Sequence, residues 1–293
     1  YWIKPNKIIK WGDLGLQTPD IFFQAGTYYI KSFKNLGQQV KKKGGKVILL
    51  SDNCYKKNLR QVVGMILFRM IFQRWFNAVW VPGKSGKKLM RTYGFSKKQI
   101  YEGLYGVDNN CFKAGKPLYK RSKQFIFVGN FIFLKGVLTL VEAFKEFNTC
   151  HPEWKILIFG IGPYAKILKA CPGATVKSFA QPSEISKKMR ESRFLIQPSI
   201  VDHWPLVVPE AALSGCGLIL SSSVGNRMEF LNHKNGFTYQ VKSSKKLARC
   251  LKRAANLDAQ KLDEVYNESL RLGSYYTPKN WANNFCKIIN DCK

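Results

Sequence analysis

Two acidic residues stand close together in the stretch from 197 to 231, where the pattern of a buried strand gives way to that of a helix. Asp202 and Glu210 have seven residues between them and flank the predicted start of this helix. The first backbone N–H groups of a helix lack acceptors within it and point beyond its end, which makes such a junction a ready site for an anion. The spacing therefore predicts a site for a phosphate.

The elements that would position these acids form a regular alternation of strands and helices over residues 120 to 275. Apolar runs, each followed by a helical pattern, predict strands at 125–130, 154–160, 175–180, 193–199 and 217–223. The first two strands lead into the turns Lys135-Gly136 and Gly160-Ile161-Gly162-Pro163. Such an alternation predicts a parallel sheet with helices on both faces, whose ligands bind beyond the carboxyl ends of the strands. The acids and both turns fall at such ends.

The first part of the chain has a less regular pattern. We predict strands at 19–26, 45–53 and 77–83, helices at 28–42 and 85–95, and a strand-like segment at 99–107. A complete doubly wound domain needs about 150 residues. The shorter region observed here predicts that one strand or more of this domain precedes Tyr1.

The charge of the chain is strongly basic. Its 293 residues are 45% apolar and carry a net charge of +30. An excess of this size fits an anionic partner, and a lysine-rich proteome would produce it as well, because net charge reports on nonspecific attraction rather than on fold. No pattern typical of an RNA-binding or zinc-based module is present, so no specific nucleic-acid partner is predicted.

The cysteines and histidines indicate neither a disulfide framework nor a metal centre. The eight cysteines form no C-x-x-C pair, which is typical of reduced thiols in a cytosolic protein. The three histidines have no partners at metal-ligand spacing. We therefore predict no metal site.

The longest apolar stretch runs from residue 62 to 81 and is interrupted by Arg69 and Arg74. It does not reach the roughly 18 apolar residues that span a bilayer. Two interpretations remain, a core helix leading into a strand and a helix lying on a membrane by a basic, aromatic face. Ordinary burial statistics favour the core. An anionic membrane surface is nevertheless predicted as a partner of the first domain, on the basis of Arg69, Arg74, Lys84, Lys87 and Lys88.

Five segments resemble, in order and spacing, the retaining glycosyltransferases of family 4. Similarity to that family's C-terminal domain is carried by FIFVGNFIFLKGVLTLVEAF, ILIFGIGP and PSIVDHWPLVVPEAALSGCGLILSSSVG. Its interdomain segment is similar to QIYEGLYGVDNNCF, and its last helix is similar to YYTPKNWANNFCKIIN. The resemblance implies a GT-B fold, with two Rossmann-like domains and the active site in the cleft between them. The implied domains are an acceptor-side domain at 1–113, a nucleotide-sugar-binding domain at 114–275, and a helix at 276–293 that crosses back.

The same resemblance implies roles for individual residues. Glu210 matches the acid that holds the ribose hydroxyls, Asp202 matches the acid that faces the donor sugar, and Lys135 matches the diphosphate lysine. A carboxylate suits a vicinal diol because it accepts two hydrogen bonds, and an ammonium stabilises the charge of a departing diphosphate. The other residues implied in donor binding are Gly129, Asn130, Gly160, Gly162, Phe179, His203, Trp204, Leu206 and Val207.

Three positions depart from the family pattern. Asn130 replaces the usual arginine after the strand glycine, and residues 203 to 206 read H-W-P-L instead of a glycine-rich turn. Pro205 has no N–H to offer a phosphate. In the first domain Asp52 stands where the family often has a histidine, so it is either an acceptor-side base or the cap of the next helix, and capping is the commoner use of such an aspartate.

The resemblance implies a retaining, metal-independent glycosyltransferase that uses a UDP- or GDP-linked sugar as substrate and needs no cofactor. The resemblance implies a glycan or lipid-linked acceptor, bacterial surface-polysaccharide synthesis, and a cytoplasmic location at the inner face of the membrane. Two alternatives remain: a catalytically silent relative that binds sugar nucleotide, and a basic nucleic-acid-binding protein.

Overall fold

The computed structural model describes residues 8–25, 30–55 and 59–292, and for residues 59 and 60 it describes the backbone alone. The chain divides into two compact units. Unit 1 comprises Tyr1–Gly106 together with Lys279–Lys293, and unit 2 comprises Val107–Pro278. The domain boundaries expected from the sequence were 113 and 275. Each unit contains a parallel sheet flanked by helices, which confirms the predicted α/β class.

In the described part of unit 1, parallel strands form a sheet in the order β1-β2-β3-β4. These strands are β1 (Ile21–Gln24), β2 (Lys46–Leu50), β3 (Ala78–Val81) and β4 (Ile100–Glu102). The helices are α1 (Lys31–Lys42), α2 (Leu59–Leu67), which continues into a π-helical turn (Phe68–Phe72), and α3 (Lys84–Thr92). The last helix of the chain, Pro278–Cys292, places the buried Ile288 against Ile48 and Trp80 of this sheet.

Unit 2 is described throughout and holds a six-stranded parallel sheet in the order β10-β9-β8-β5-β6-β7. The strands are β5 (Gln124–Val128), β6 (Lys155–Phe159), β7 (Ala174–Lys177), β8 (Phe194–Gln197), β9 (Gly217–Ser221) and β10 (Gly236–Tyr239). The helices of unit 2 are α4 (Val137–Cys150), α5 (Ala165–Lys169), α6 (Pro182–Glu191), α7 (Val207–Leu213), α8 (Arg227–Phe230), α9 (Ser244–Ala255) and α10 (Ala259–Gly273). The last helix of the chain, Pro278–Cys292, which was described with unit 1, is α11.

The chain order reverses between the two central strands of this sheet. From β5 the chain moves outward through β6 and β7, and it then returns to β8 on the other side of β5. The loops that follow β5 and β8 therefore meet at the carboxyl edge of the sheet, where the Ile200 N–H donates to the Leu134 carbonyl at 2.8 Å. Open α/β sheets bind their ligands at such a switch point.

Several predicted boundaries differ from the observed ones. The strands predicted at 19–26, 45–53 and 175–180 are shorter, at Ile21–Gln24, Lys46–Leu50 and Ala174–Lys177, and β10 was not predicted. Helix α1 begins at Lys31, while residues 28 and 29 of the predicted helix lie outside the described residues.

The core interpretation of residues 62 to 81 is correct for the strand but for only one face of the helix. The strand β3 is buried in all four residues, as predicted. In the helix, however, only Phe68 is fully buried, and the apolar residues of the opposite face are exposed. Apolar residues occupy both faces of this helix, so composition alone does not reveal which face packs. No helix in the described ranges is long and apolar enough to cross a bilayer.

Candidate functional site

An ion pair joins the two loops at the switch point of unit 2. Lys135 ends a 3₁₀ turn (Phe133–Lys135) after β5, and Asp202 lies in the loop after β8. The Lys135 Nζ is 2.6 Å from the Asp202 Oδ2, and both side chains are mostly buried. The structure thus brings together two of the predicted catalytic residues, at the carboxyl edge where the sequence placed them.

Two residues that the sequence analysis did not select hold this aspartate. The Gln197 Nε2 and the Ser199 Oγ both donate to the Asp202 Oδ2, at 3.2 Å each, and both residues are fully buried. Polar side chains in an otherwise apolar strand end, Q-P-S, were the available signal, since buried polar groups require partners. The same carboxylate oxygen also receives the Lys135 ammonium, so it is fixed from three sides.

The backbone of the Asp202 loop is fastened to the loop after β9. The Gly225 N–H donates to the Asp202 carbonyl at 2.9 Å, and the buried Asn226 donates its Nδ2 to the Pro205 carbonyl at 3.0 Å. A Cβ at Gly225 would overlap the backbone of His203, so glycine is needed for this close approach. Asp202 is therefore held by its neighbours and does not cap a helix.

Helix α7 begins at Val207, five residues after Asp202, and is only seven residues long. The Val208 N–H donates to the Pro205 carbonyl at 3.1 Å, so one of the first donors is already used. The helix start is thus a smaller anion site than the sequence predicted.

Glu210 is the fourth residue of α7 and lies in a largely buried position. Burial raises the pKa of its carboxyl group from 4.5 to about 7, because desolvation disfavours the charged form. Within the described residues no group donates a hydrogen bond to this carboxylate, and desolvation is the sole cause of the shift. A half-ionised carboxyl group near neutral pH is poised to accept hydrogen bonds from a ligand.

The glycine turns after β5 and β6 interlock. The Gly129 N–H donates to the Phe159 carbonyl at 3.0 Å, and the Phe131 N–H donates to the Ile161 carbonyl at 2.7 Å. Side chains at Gly160 and Gly162, both at φ 148°, would overlap the backbones of residues 129 and 131. These glycines therefore allow two loops to pack backbone against backbone at the carboxyl edge.

The remaining predicted donor-binding residues have different surroundings. Asn130 and Leu206 are exposed, Val207 is buried, and His203 is half-buried. The Trp204 ring packs against the rings of Phe230 and Tyr276, with centroids 5.9 and 5.7 Å apart. Phe179, just beyond β7, is 72% exposed. Phe179 and Leu206 are thus available to a ligand, while Trp204 helps to support the loop.

In unit 1, Asp52 is exposed and follows β2. Residues 51 to 55 are not helical, so Asp52 does not cap a helix and the capping interpretation is wrong. The Tyr105 hydroxyl has a raised pKa, first because of burial and then because of the charge of Asp52 and a hydrogen bond with it. Asp52 is therefore an exposed carboxylate beside a tyrosine.

The described residues contain no group of three or more His, Cys, Asp or Glu side chains that could hold a metal ion.

Gly136 fixes the distance between the two switch-point loops. Its φ is 70°, and an added Cβ would overlap the Pro198 carbonyl of the loop after β8. We expect Gly136→Ala to lower the free energy of unfolding by about 2 to 4 kcal/mol in urea denaturation. Gly44→Ala is the matched control, because Gly44 has φ 83° and nothing within 4 Å of its Cβ position. Equal losses in both variants would mean that the close approach contributes nothing.

The comparisons with known proteins agree with this geometry. A family model described as glycosyl transferases group 1 matches residues 109–271, more than half of the chain. The chain belongs to the group 1 glycosyl transferases. The matched residues of this group 1 glycosyl transferase include Lys135, Asp202 and Glu210.

A curated relative of this group 1 chain is the uncharacterized glycosyltransferase MJ1607 of Methanocaldococcus jannaschii, which is 26% identical over 168 residues. The alignment covers 52% of this chain and 43% of that protein, so the chain spans less than half the length of this relative.

Solved structures similar to this group 1 chain share its fold at low identity. Sucrose-phosphate synthase from Thermosynechococcus elongatus is 13% identical, with a TM-score of 0.73 over 96% of this chain and 74% of that one. HepE from Anabaena, solved in complex with UDP, is 15% identical, with a TM-score of 0.75 over 92% of this chain and 78% of that one. The likeness confirms the predicted GT-B fold.

Proposed function

We propose that this chain transfers a sugar from a nucleotide-sugar donor, and that unit 2 binds the donor. The observation that carries this proposal is the family match over residues 109–271, which contains the Lys135–Asp202 pair at the switch point of the sheet. A match to the group 1 family model alone would indicate a common origin with these enzymes, without a chemical reason for the ligand. A fixed ammonium at the edge where such sheets bind ligands adds a chemical reason for a phosphorylated ligand.

The donor is a sugar linked to a nucleoside diphosphate, UDP or GDP. Glu210 accepts hydrogen bonds from the ribose hydroxyls, for which its lack of other donors leaves both oxygens available. The complex of HepE with UDP supports a uridine nucleotide as the first choice. Gly129, Gly160 and Gly162 allow the turns after β5 and β6 to pack against each other at this edge, and no cofactor takes part.

Lys135 acts on the leaving group. In the transfer, the acceptor oxygen bonds to the anomeric carbon, the bond from that carbon to the diphosphate breaks, and a nucleoside diphosphate and a proton are released. Negative charge grows on the diphosphate as this bond breaks, and a fixed ammonium stabilises that charge without a metal ion. Asp202 touches the Lys135 Nζ and two buried polar side chains, which favours a role in positioning the lysine.

The further details of the proposed reaction and of its biological role rest on the family resemblance. It includes retention of configuration, membership of family 4, a glycan or lipid-linked acceptor, and a role in bacterial surface-polysaccharide synthesis at the inner membrane face. Asp52 is the acceptor-side candidate, because it is an exposed carboxylate at the end of a strand in unit 1. A proton acceptor at that position would take the hydroxyl proton of the acceptor.

A catalytically silent relative is the second candidate. It is favoured by Asn130, which replaces the family's arginine, and by Pro205, which supplies a carbonyl to Asn226 and has no N–H for a phosphate. Such a protein would bind sugar nucleotide without consuming it. Release of free nucleoside diphosphate from the bound donor distinguishes the two candidates.

A screen of UDP-, GDP- and ADP-sugars for thermal stabilisation tests the donor proposal. A ligand at 100 times its Kd adds about 2.7 kcal/mol to the free energy of unfolding. We expect one nucleotide class to raise the melting temperature, and Glu210→Ala to remove most of that rise. Glu142→Ala is the control, because Glu142 is an exposed acid on α4. Absence of a shift with every nucleotide would contradict the proposal.

A further inference from the structure

An exposed apolar stripe runs along one face of α2 and the π-helical turn that continues it. The stripe consists of six side chains that are between 43% and 71% exposed: Val62, Val63, Ile66, Leu67, Met70 and Ile71. They recur as adjacent pairs every four residues. In an α-helix with 3.6 residues per turn such pairs drift gradually around the axis. The π turn has one more residue per hydrogen-bonded ring, which offsets that drift and keeps the stripe on one face.

The opposite face of the same helix is firmly packed. Phe68 is 1% exposed and its ring lies 4.8 Å from the Tyr93 ring and 6.1 Å from the Phe95 ring. Phe72 packs against the same core and, at 4.9 Å, against the Trp75 ring. The helix is therefore held in place by its aromatic face, which packs against the core of unit 1. Its aliphatic face remains exposed to water. This arrangement needs an explanation, because contiguous exposed apolar patches mark interaction sites.

The segment of chain that carries the stripe is rich in basic residues and has no acidic ones. Residues 53 to 101 contain eleven Lys and Arg residues and no Asp or Glu. Arg69 lies on the helix itself and Arg74 directly after it, and both are exposed. The Arg69 side chain passes over Gly94 at the end of α3, whose exposed basic residues are Lys84, Lys88 and Arg91. The turn that follows α3 therefore adjoins the helix that carries the stripe.

We propose that this stripe is a docking surface for an anionic lipid bilayer, into whose interface the six aliphatic side chains insert. An amphipathic helix that lies in the headgroup region needs an apolar face and flanking cations, and the described residues of this segment supply both. A protein partner fits the surface less well. Protein interfaces are centred on Trp, Tyr and Arg side chains, whereas this stripe consists of Val, Ile, Leu and Met.

Vesicle sedimentation with the full 293-residue chain tests the proposal, using phosphatidylcholine vesicles with and without phosphatidylglycerol. We expect binding to the anionic vesicles and much weaker binding to the neutral ones. Salt raised from about 0.1 to 1 M should reduce binding, because the Debye length falls from about 10 to 3 Å. Ile66→Ser combined with Leu67→Ser should lower the partition coefficient about tenfold or more, since both side chains leave the apolar region.

Two matched controls accompany this measurement. Leu16→Ser removes an apolar side chain of unit 1 that is 56% exposed but outside the stripe, and it should bind like the wild type. Arg69→Gln with Arg74→Gln should weaken binding to anionic vesicles about tenfold at low salt. Lys245→Gln with Arg249→Gln removes the same charge from exposed positions of α9 and should have little effect. Val63→Ser combined with Met70→Ser is a second variant of the stripe and should also bind vesicles more weakly. An unchanged melting temperature shows that each variant is folded.

Three results would overturn the proposal. One is equal binding to neutral and anionic vesicles, and another is wild-type binding by both stripe variants. The third is a wild-type protein that does not bind vesicles but self-associates, as measured by light scattering, together with stripe variants that no longer self-associate. In that case the stripe is a protein interface. None of these readouts requires sugar transfer, so the result is independent of the proposed enzymatic function.

Discussion

Lys135→Ala should lower kcat for sugar transfer by about 10² to 10³, the usual loss when one donor to a developing negative charge is removed. The expected effect falls on kcat because diphosphate charge grows in the transition state, whereas the ground-state diphosphate is also bound by other groups. Steady-state kinetics with the donor identified by the thermal screen measures it. Lys135→Arg keeps the charge and should recover part of the rate.

Two comparisons make this result interpretable. The Lys135–Asp202 pair is partly buried, so Lys135→Ala should also lower the free energy of unfolding by about 1 to 3 kcal/mol. Lys245→Ala, at an exposed position, controls for the loss of a lysine. If Asp202 acts by holding the lysine, Asp202→Asn slows the wild type but has little further effect on Lys135→Ala. Fully additive losses would show that Asp202 acts on the sugar directly.

Glu210→Gln should stabilise the ligand-free protein above neutral pH while weakening donor binding. The pKa of Glu210 is raised from 4.5 to about 7, so the native state holds a proton that the unfolded state has lost between these pH values. Stability therefore falls as pH rises through this window and levels off above about 7. The total is about 3 kcal/mol, and removal of the ionisable group should abolish it. Urea denaturation at pH 5, 6, 7 and 8 measures the slope.

The same carboxyl group predicts how donor affinity depends on pH. The ionised form accepts two hydrogen bonds from a diol, so the donor KM of the wild type should fall as pH rises towards 7 and above. Glu210→Gln should raise the donor KM at least tenfold at pH 8 and show no such pH dependence. Glu142→Gln should match the wild type in both measurements. An unchanged KM in Glu210→Gln would remove Glu210 from the donor site.

Sequence periodicity identified the parallel sheets and the edge that carries the site, because strand length and strand-helix alternation are local properties of the chain. It placed Lys135 and Asp202 at the ends of two strands. It did not reveal that β5 and β8 are neighbours, and that pairing brings the two side chains to 2.6 Å. Gln197 and Ser199 lie within five residues of Asp202, so the polar residues at the end of this apolar strand were a local signal that could have identified them.

The errors of the sequence analysis have a common physical origin. Residues 62 to 72 are apolar on both helix faces, and burial statistics therefore favoured the core. The structure buries the aromatic face, where the Phe68 ring packs against Tyr93 and Phe95, and exposes the aliphatic one. Asp52 was favoured as a helix cap for a similar reason, since its residue type fits a cap but the helix begins further along the chain.

The contact between Lys135 and Asp202 also determines when the lysine loses its freedom. An unrestrained lysine side chain has about 2 kcal/mol of rotamer entropy, and here that entropy is lost during folding rather than on ligand binding. An arriving anion thus meets an ammonium already in position, but it shares this ammonium with a carboxylate. Inorganic phosphate would bind weakly to an ammonium that is already paired with a carboxylate. A nucleoside diphosphate that is also held through its ribose would stay bound long enough to compete with Asp202 for the ammonium. The resting ion pair would therefore select for ligands with a second point of attachment.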